Sequence, residues 1–164
     1  MKKILSIIIL TFILTLIFAS CSHKNFTDSL TCKDLSLTLK REISVSSGEF
    51  EEYSTDELNF LFTTTELYDD ICVIYSSDTT DICELGIIHA TNEENAKKLF
   101  EDSKNYIKSI QEQKSEFLRN YSPDELKKLN SADTQRFGNY VIFIVSEPND
   151  RDTLFKKAEA LLSK

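Results

Sequence analysis

The sequence predicts an α+β domain with an antiparallel four-stranded sheet, two longer helices on one face of it, and short helices at the N-terminal side. Three observations point there. Two pairs of β-branched, apolar segments are each joined by a short polar or Gly-Asn break. A long helical repeat runs from Asn92 to about Arg119 and separates the pairs. A second amphipathic stretch closes the chain, so the order is helix, helix, strand, strand, helix, strand, strand, helix.

The chain starts with Lys2 and Lys3, then an apolar run of 16 residues from Ile4 to Ala19, broken by Ser6, Thr11 and Thr15. This pattern is that of a secretory signal peptide, and it is short of the ~20 residues that a bilayer-crossing helix needs. Phe18-Ala19-Ser20-Cys21 resembles the lipobox of bacterial lipoproteins, in which small residues precede the lipidated cysteine. Phe18 departs from the usual Leu. Cleavage is expected between Ser20 and Cys21, with a diacylglyceryl group on Cys21 as the membrane partner; an uncleaved helical anchor and free secretion are the alternatives. Two acyl chains hold stably where one holds marginally.

Losing Lys2 and Lys3 with residues 1–20 leaves 17 Lys+Arg against 27 Asp+Glu, a formal net of −10 on 144 residues. Such a surface is repelled by anionic headgroups and by nucleic acid, so no nucleic-acid partner is expected. The expected address is the outer face of the cell membrane. With three Gly and two Pro, the chain offers no linker to divide its mature part, so residues 31–164 form one domain behind a tether at 21–30. The polar part of that tether, Ser22 to Ser29, reaches at most about 25–30 Å.

Leu35, Leu39 and Ile43 stand four apart in Thr31 to Ile43 and predict the first helix, with Leu37 off the stripe. Ser46-Ser47-Gly48 breaks it. Ser54-Thr55-Asp56-Glu57 has capping-box spacing ahead of a short helix through Leu58 and Leu61. Asp70 to Ser76 and Asp81 to Ala90 predict a hairpin across Ser77-Asp78-Thr79-Thr80. The long helix follows on Ala96, Leu99, Phe100, Ser103, Ile107, Ile110, Lys114, Phe117 and Leu118. Ser122-Pro123-Asp124-Glu125 is a helix start with Ser as N-cap and Pro in the first turn. Thr134 to Phe137 and Tyr140 to Ser146 form the second hairpin about Gly138-Asn139. The unbroken Val141-Ile142-Phe143-Ile144-Val145 predicts a strand buried on both faces. Leu154, Phe155, Ala158, Leu161 and Leu162 mark the closing helix.

Most acidic pairs need no chemistry. Asp56-Glu57, Glu93-Glu94, Asp124-Glu125 and Asp150 with Asp152 fall in first turns, where the helix dipole favours negative charge. Glu51-Glu52 and Asp69-Asp70 lack that explanation and also lack a third ligand, and Asp78 to Asp81 is too short for a calcium loop. No metal site and no cofactor are expected. His23 lies in the tether. His89 is on the strand parity of Leu85 and Ile87, without a nameable partner, and reads as a packed strand histidine. No hydrolase, phosphate-loop or dinucleotide motif occurs, and no catalytic residue is assigned.

Apart from Cys21, the cysteines are Cys32, Cys72 and Cys83. A hairpin register summing to 155 sets Cys72 opposite Cys83, and a disulfide there competes with the reading of both as small buried hydrophobes. Cys32 is left as the odd thiol.

Several short motifs together resemble a family of uncharacterised lipoproteins of Gram-positive bacteria that carry a domain of unknown function, number 4358. They are the lipobox at Cys21, Glu84-Leu85-Gly86-Ile87 with Ala90, Gln113, Tyr121-Ser122-Pro123, Gly138-Asn139-Tyr140-Val141 and the closing helix. The resemblance covers about residues 48 to 164 and implies extracytoplasmic, membrane-anchored placement and a compact α+β domain. It carries no activity.

Glu84 and Gly86 share a strand face with Ile88 and Ala90, which makes them the candidate binding pair; a solvated Glu84 is the alternative. The function expected is a non-catalytic binding or accessory module for an envelope protein or ligand. Its rival is an envelope-acting hydrolase using carboxylates such as Glu84 and Asp81, which requires two convergent acids about 5–9.5 Å apart.

Overall fold

The structure is a computed structural model and describes residues 25–43, 49–62 and 64–164. The signal peptide at 1–20, the cleavage site at Ser20 and Cys21, His23 and the break at Ser46 to Gly48 lie outside the described residues.

Helix α1 spans Cys32–Leu39, with Thr31 Oγ1 accepting from the Asp34 amide as its N-cap, and buries Cys32, Leu35, Ser36 and Leu39. It runs on as a single 3-10 turn at Lys40–Glu42. Strand β1, Phe50–Glu52, leads into α2, Thr55–Leu61, which starts at the expected Ser54/Glu57 capping box. Strands β2, Tyr68–Ser76, and β3, Glu84–Ala90, are antiparallel. Then follow α3, Glu93–Tyr121, α4, Pro123–Ser131, β4, Asp133–Phe137, β5, Tyr140–Val145, and α5, Pro148–Leu162.

The α+β class and the antiparallel sheet are as expected, but among the described residues the sheet has five strands, in the order β1-β2-β3-β5-β4. The extra one is β1, whose three residues pair along the β2 edge with Glu51 opposite Tyr75. Three residues with two adjacent acids carry no period-2 signal, so the sequence pattern passes over it.

The placement of the two long helices on one face is also corrected. Cys72, Ile74, Leu85, Ile87, Ile142 and Ile144 pack under α1 and α5. Val73, Ile88, Val141 and Phe143 pack under α2 and α3 on the opposite face. The physical reason lies in β5, every residue of which is buried: a central strand that is apolar on both sides needs a helical layer on each. The stripe of α3 is narrower than expected. Ala96, Leu99, Ser103, Ile107 and Leu118 are buried, whereas Phe117 is exposed and stacks on Tyr121 with ring centroids 4.9 Å apart.

The turn of the second hairpin is as expected, with Gly138 at φ 63. The first hairpin closes on a different register. Cys72 pairs with Ile87 and Val73 with Gly86, so partner numbers sum to 159 rather than 155. Cys72 and Cys83 are therefore not cross-strand partners, and Cys32, Cys72 and Cys83 are all free, buried thiols. The loop between the strands is turned by Asp78, which accepts from the Thr80 amide on its side chain and from the Asp81 amide on its carbonyl.

Residues 25–30, expected to belong to the tether, lie on the domain. Phe26 forms an antiparallel bridge with Ser163 and an edge-on contact with Phe137 at 5.9 Å. The Thr27 amide donates to the Leu162 carbonyl, and the Lys164 amide to that of Asn25. Apolar Phe26 and Leu30 supply the reason, since both pack against the core face under α1 and α5.

Candidate functional site

Strand alternation puts Glu84 and Gly86 on the face that α3 covers, and there the two residues have different tasks. Glu84, at the first position of β3, retains 6% exposure and lines a cavity of about 620 Å³ between α3 and the segment from Tyr53 to Thr64. Its Oε1 accepts a hydrogen bond of 2.8 Å from the Tyr106 hydroxyl. Gly86 does not line the cavity. It stands opposite Phe143 in the β3–β5 register, and a Cβ on it would lie 2.0 Å from the Phe143 ring. That ring packs edge-on against Tyr106, with centroids 5.4 Å apart, and against Phe62 at 6.0 Å. The missing side chain of Gly86 thus lets Phe143 seat Tyr106, and Tyr106 holds Glu84.

The electrostatics follow from burial. Desolvation lifts the Glu84 carboxyl to about 7, against the downward pull of the Tyr106 hydrogen bond and of the Lys114 charge. Tyr53 is pushed up to about 12, first by burial and then by the Glu84 charge, and Tyr106 is raised by the same two causes. Both phenols therefore stay protonated near neutral pH, and Tyr106 keeps the proton that it donates to Glu84. The Tyr53 ring stacks on Tyr75 at 4.5 Å, and the Tyr75 hydroxyl donates to Glu51 Oε2 at 2.9 Å. Lys114, Gln113 and Asp102 on α3 add to the polar part of the lining, and Phe60, Leu61 and Phe62 to the apolar part.

Of these residues, sequence reasoning singled out Glu84 and, through the motif resemblance, Gln113. It missed Tyr53 and Tyr106. The available signal was Tyr106, which stands one residue before the buried stripe position Ile107, at a helix angle that faces the strand bearing Glu84.

Asp81 does not converge with Glu84. It is buried at the end of the β2–β3 loop, where its Oδ1 accepts from Lys128 Nζ at 3.0 Å and from the Cys83 amide at 3.0 Å. Lys128 also pairs with Glu125 at 2.8 Å, and Glu125 in turn accepts from the Ile82 amide. Burial opposes the Lys128 charge, but its bonds to Glu125 and Asp81 prevail and push it up to about 12. This triad pins the loop to α4. Ser122, the expected N-cap of α4, makes no side-chain capping bond among the described residues, and its backbone stands at φ −150 and ψ 69.

His89 faces the other side of the sheet, as its parity implies, and it has the partner that the sequence did not reveal. Asp69 is pushed out of the β2 ladder at a bulge and places Oδ1 2.6 Å from His89 Nδ1. Asp28 Oδ1 lies 3.4 Å from Nε2, and the ring rests on Tyr140 at 4.6 Å. Both ring nitrogens are engaged, so this group clasps the 25–30 segment to the sheet. The remaining acidic pairs are structural too: Asp70 accepts from the Cys32 amide, and Glu52 pairs with Lys33 at 2.7 Å. Among the described residues, no group of three or more His, Cys, Asp or Glu is placed to hold a metal ion, and no helix is long and apolar enough to cross a membrane.

No curated protein and no solved structure matches the chain. The similarity to a known family ends at residue 146, so α5, which the motif resemblance took in, lies outside it. The family model described as domain of unknown function DUF4358 matches residues 44–146, well over half of the 164 residues, and the chain belongs to that family.

Proposed function

We propose that the chain is a lipoprotein of the Gram-positive type, anchored by diacylglyceryl Cys21 at the outer face of the cell membrane, and that it binds an envelope protein or ligand in the Glu84 cavity without catalysis. The observation that carries the binding role is Glu84 itself, a carboxylate buried in a cavity wall with a single hydrogen bond to its side chain among the described residues. A group that is costly to bury and only partly satisfied is kept where something else completes it. The address rests on the Phe18-Ala19-Ser20-Cys21 motif, and the formal net of −8 for the whole chain gives a covalent anchor a purpose.

The carboxylate-hydrolase reading loses support from the placement of Asp81, which Lys128 holds outside the cavity lining. Asp102 also lines the cavity and keeps that reading open to assay.

The test has two arms. Intact mass of the membrane-extracted protein is expected to show residues 1–20 absent and a diacylglyceryl adduct on Cys21; retention of Met1 to Ser20 overturns the anchor. A photo-crosslinker at Phe60, on the cavity rim, is expected to capture an envelope component from cells expressing the native chain but not from Glu84→Gln cells. Repeated failure to capture anything, or capture indifferent to Glu84, overturns the binding role.

A further inference from the structure

The chemistry of the ligand follows from what the cavity leaves incomplete, and the inference rests on the binding reading above. Glu84 has left water with only a phenol to replace it: one hydrogen bond from Tyr106, and one positive charge acting on it among the described residues, that of exposed Lys114 at the rim. A buried carboxylate is stable when it is paired with a cation that also donates hydrogen bonds. The fold's other buried acid, Asp81, has such a cation bonded to it in Lys128, whereas Lys114, in the lining of the Glu84 cavity, makes no hydrogen bond to Glu84 among the described residues.

The walls match the same requirement. Tyr53, Phe60, Phe62 and Tyr106 surround the carboxylate with aromatic surface, and their ring faces attract organic cations. Glu84 and Asp102 against Lys114 give the lining a formal excess of one negative charge with Glu84 ionised. Acids also flank the approach, since Glu57 acts on both Tyr53 and Tyr75, and Tyr75 carries Glu51. An anionic ligand meets a lining with a formal negative excess, and a neutral one can donate a hydrogen bond to Glu84 but leaves its charge uncompensated.

We infer that the cavity takes a ligand bearing a primary ammonium group, with Glu84 as its counter-ion and the rings of Tyr53, Phe60 and Tyr106 as its cage. The volume, about 620 Å³, suits a solute of amino-sugar or dipeptide size or the end of a larger chain. Binding of this kind depends on pH through Glu84. The titratable and charged groups that face it are Tyr53 and Glu57 from the β1–α2 side, Tyr75 from β2, and Asp102, Tyr106 and Lys114 from α3. The two tyrosines on Glu84 are raised away from neutrality, and a proton on Glu84 competes with the ammonium group below pH about 7.

The experiment is calorimetric titration of the full chain in detergent with benzylamine and with benzyl alcohol, its uncharged near-isostere. At pH about 8 benzylamine is expected to bind at least about tenfold more tightly than benzyl alcohol. That preference is expected to shrink by about tenfold at pH about 6, as Glu84 gains a proton. Glu84→Gln should abolish the preference, and Lys114→Gln should strengthen benzylamine binding by removing a competing positive charge, a gain that damaged folding would not produce. Equal affinity for the two probes, benzylamine binding that Glu84→Gln leaves intact, or no benzylamine binding to the native chain overturns the inference. None of these touches the binding reading, which stands or falls on Glu84-dependent capture from cells.

Discussion

The ring of Phe143 occupies the space where Gly86 would carry a side chain, with Cε1 only 2.0 Å from the ideal Cβ position. No small adjustment makes room for a methyl group, because Phe143 is fully buried and also touches Phe62 and Tyr106. Gly86→Ala is expected to destabilise the domain by about 1–3 kcal/mol, the usual cost of overpacking a core. Adding Phe143→Leu should return part of that loss, and denaturant unfolding of the two single variants and the double variant measures the coupling. Strictly additive losses would separate the two residues energetically.

Glu84 gives stability a defined pH dependence. Its carboxyl stands at about 7 in the fold against an ordinary value of 4.5, so between these limits the folded protein keeps a proton that the unfolded chain releases. The contribution is fully present below about 4.5 and is lost as pH rises through about 7. Relative to Glu84→Gln, the native chain should therefore lose on the order of 3 kcal/mol between about pH 4 and about pH 8. Unfolding curves of both proteins across that range check the slope; a difference that is flat or rises with pH contradicts the burial of this group.

Lys128 is the cation on which two acids depend. Its removal leaves Asp81, with 7% exposure, beside only the Cys83 amide among the described residues, where Asp81 Oδ2 already has no hydrogen-bond partner. Lys128→Met is expected to cost about 3–5 kcal/mol, and Lys128→Met with Asp81→Asn distinctly less, since the stranded charge is then gone. Thermal unfolding of the pair of variants decides it, and equal losses would mean that the ion pair is not the reason for the cost.

The thiols should be silent in the native state. Burial pushes Cys83 up to about 12 and raises Cys32 and Cys72, so little thiolate is present at neutral pH and little of it is reachable. An aromatic disulfide reagent is expected to modify Cys32, Cys72 and Cys83 at the rate of unfolding, and non-reducing mass analysis to show no loss of two hydrogens. Rapid labelling of native protein would place a thiol at the surface.

The hairpins, the capping box at Ser54 and the turn at Gly138 were legible because each is written in adjacent residues: β-branched runs, a Ser and Glu three apart, a Gly that needs positive φ. The parity of Glu84 was legible for the same reason. The register of β2 on β3 was not, since its loop is closed by Asp78 side-chain bonds instead of a tight turn and leaves several alignments open. The second helical layer was announced by Val141 to Val145, whose apolar run on both faces is incompatible with helices on one. What stayed hidden was contact between distant segments: Asp69 with His89, Lys128 with Asp81, Tyr106 with Glu84. A helix-surface tyrosine reads the same whether it meets water or a buried acid.

The seam between Phe26 and Ser163 brings the start of the described chain beside its end, and this sets how the molecule bears load. Tension on the chain ahead of Asn25 first meets the amide bonds to Leu162 and from Lys164, then the Phe26 ring seated over Gly138, then the bond from the Tyr140 hydroxyl to the Leu30 carbonyl. These contacts, with the Asp28 bond to His89 and the Phe26 contact with Phe137, tie residues 25–30 to the sheet, and a strip of about six residues peeled from them would add about 20 Å at ~3.3 Å each. Tension applied ahead of Asn25 would therefore load the same seam that holds the C-terminal residues Leu162 to Lys164, and a reporter fused after Lys164 would sit beside it.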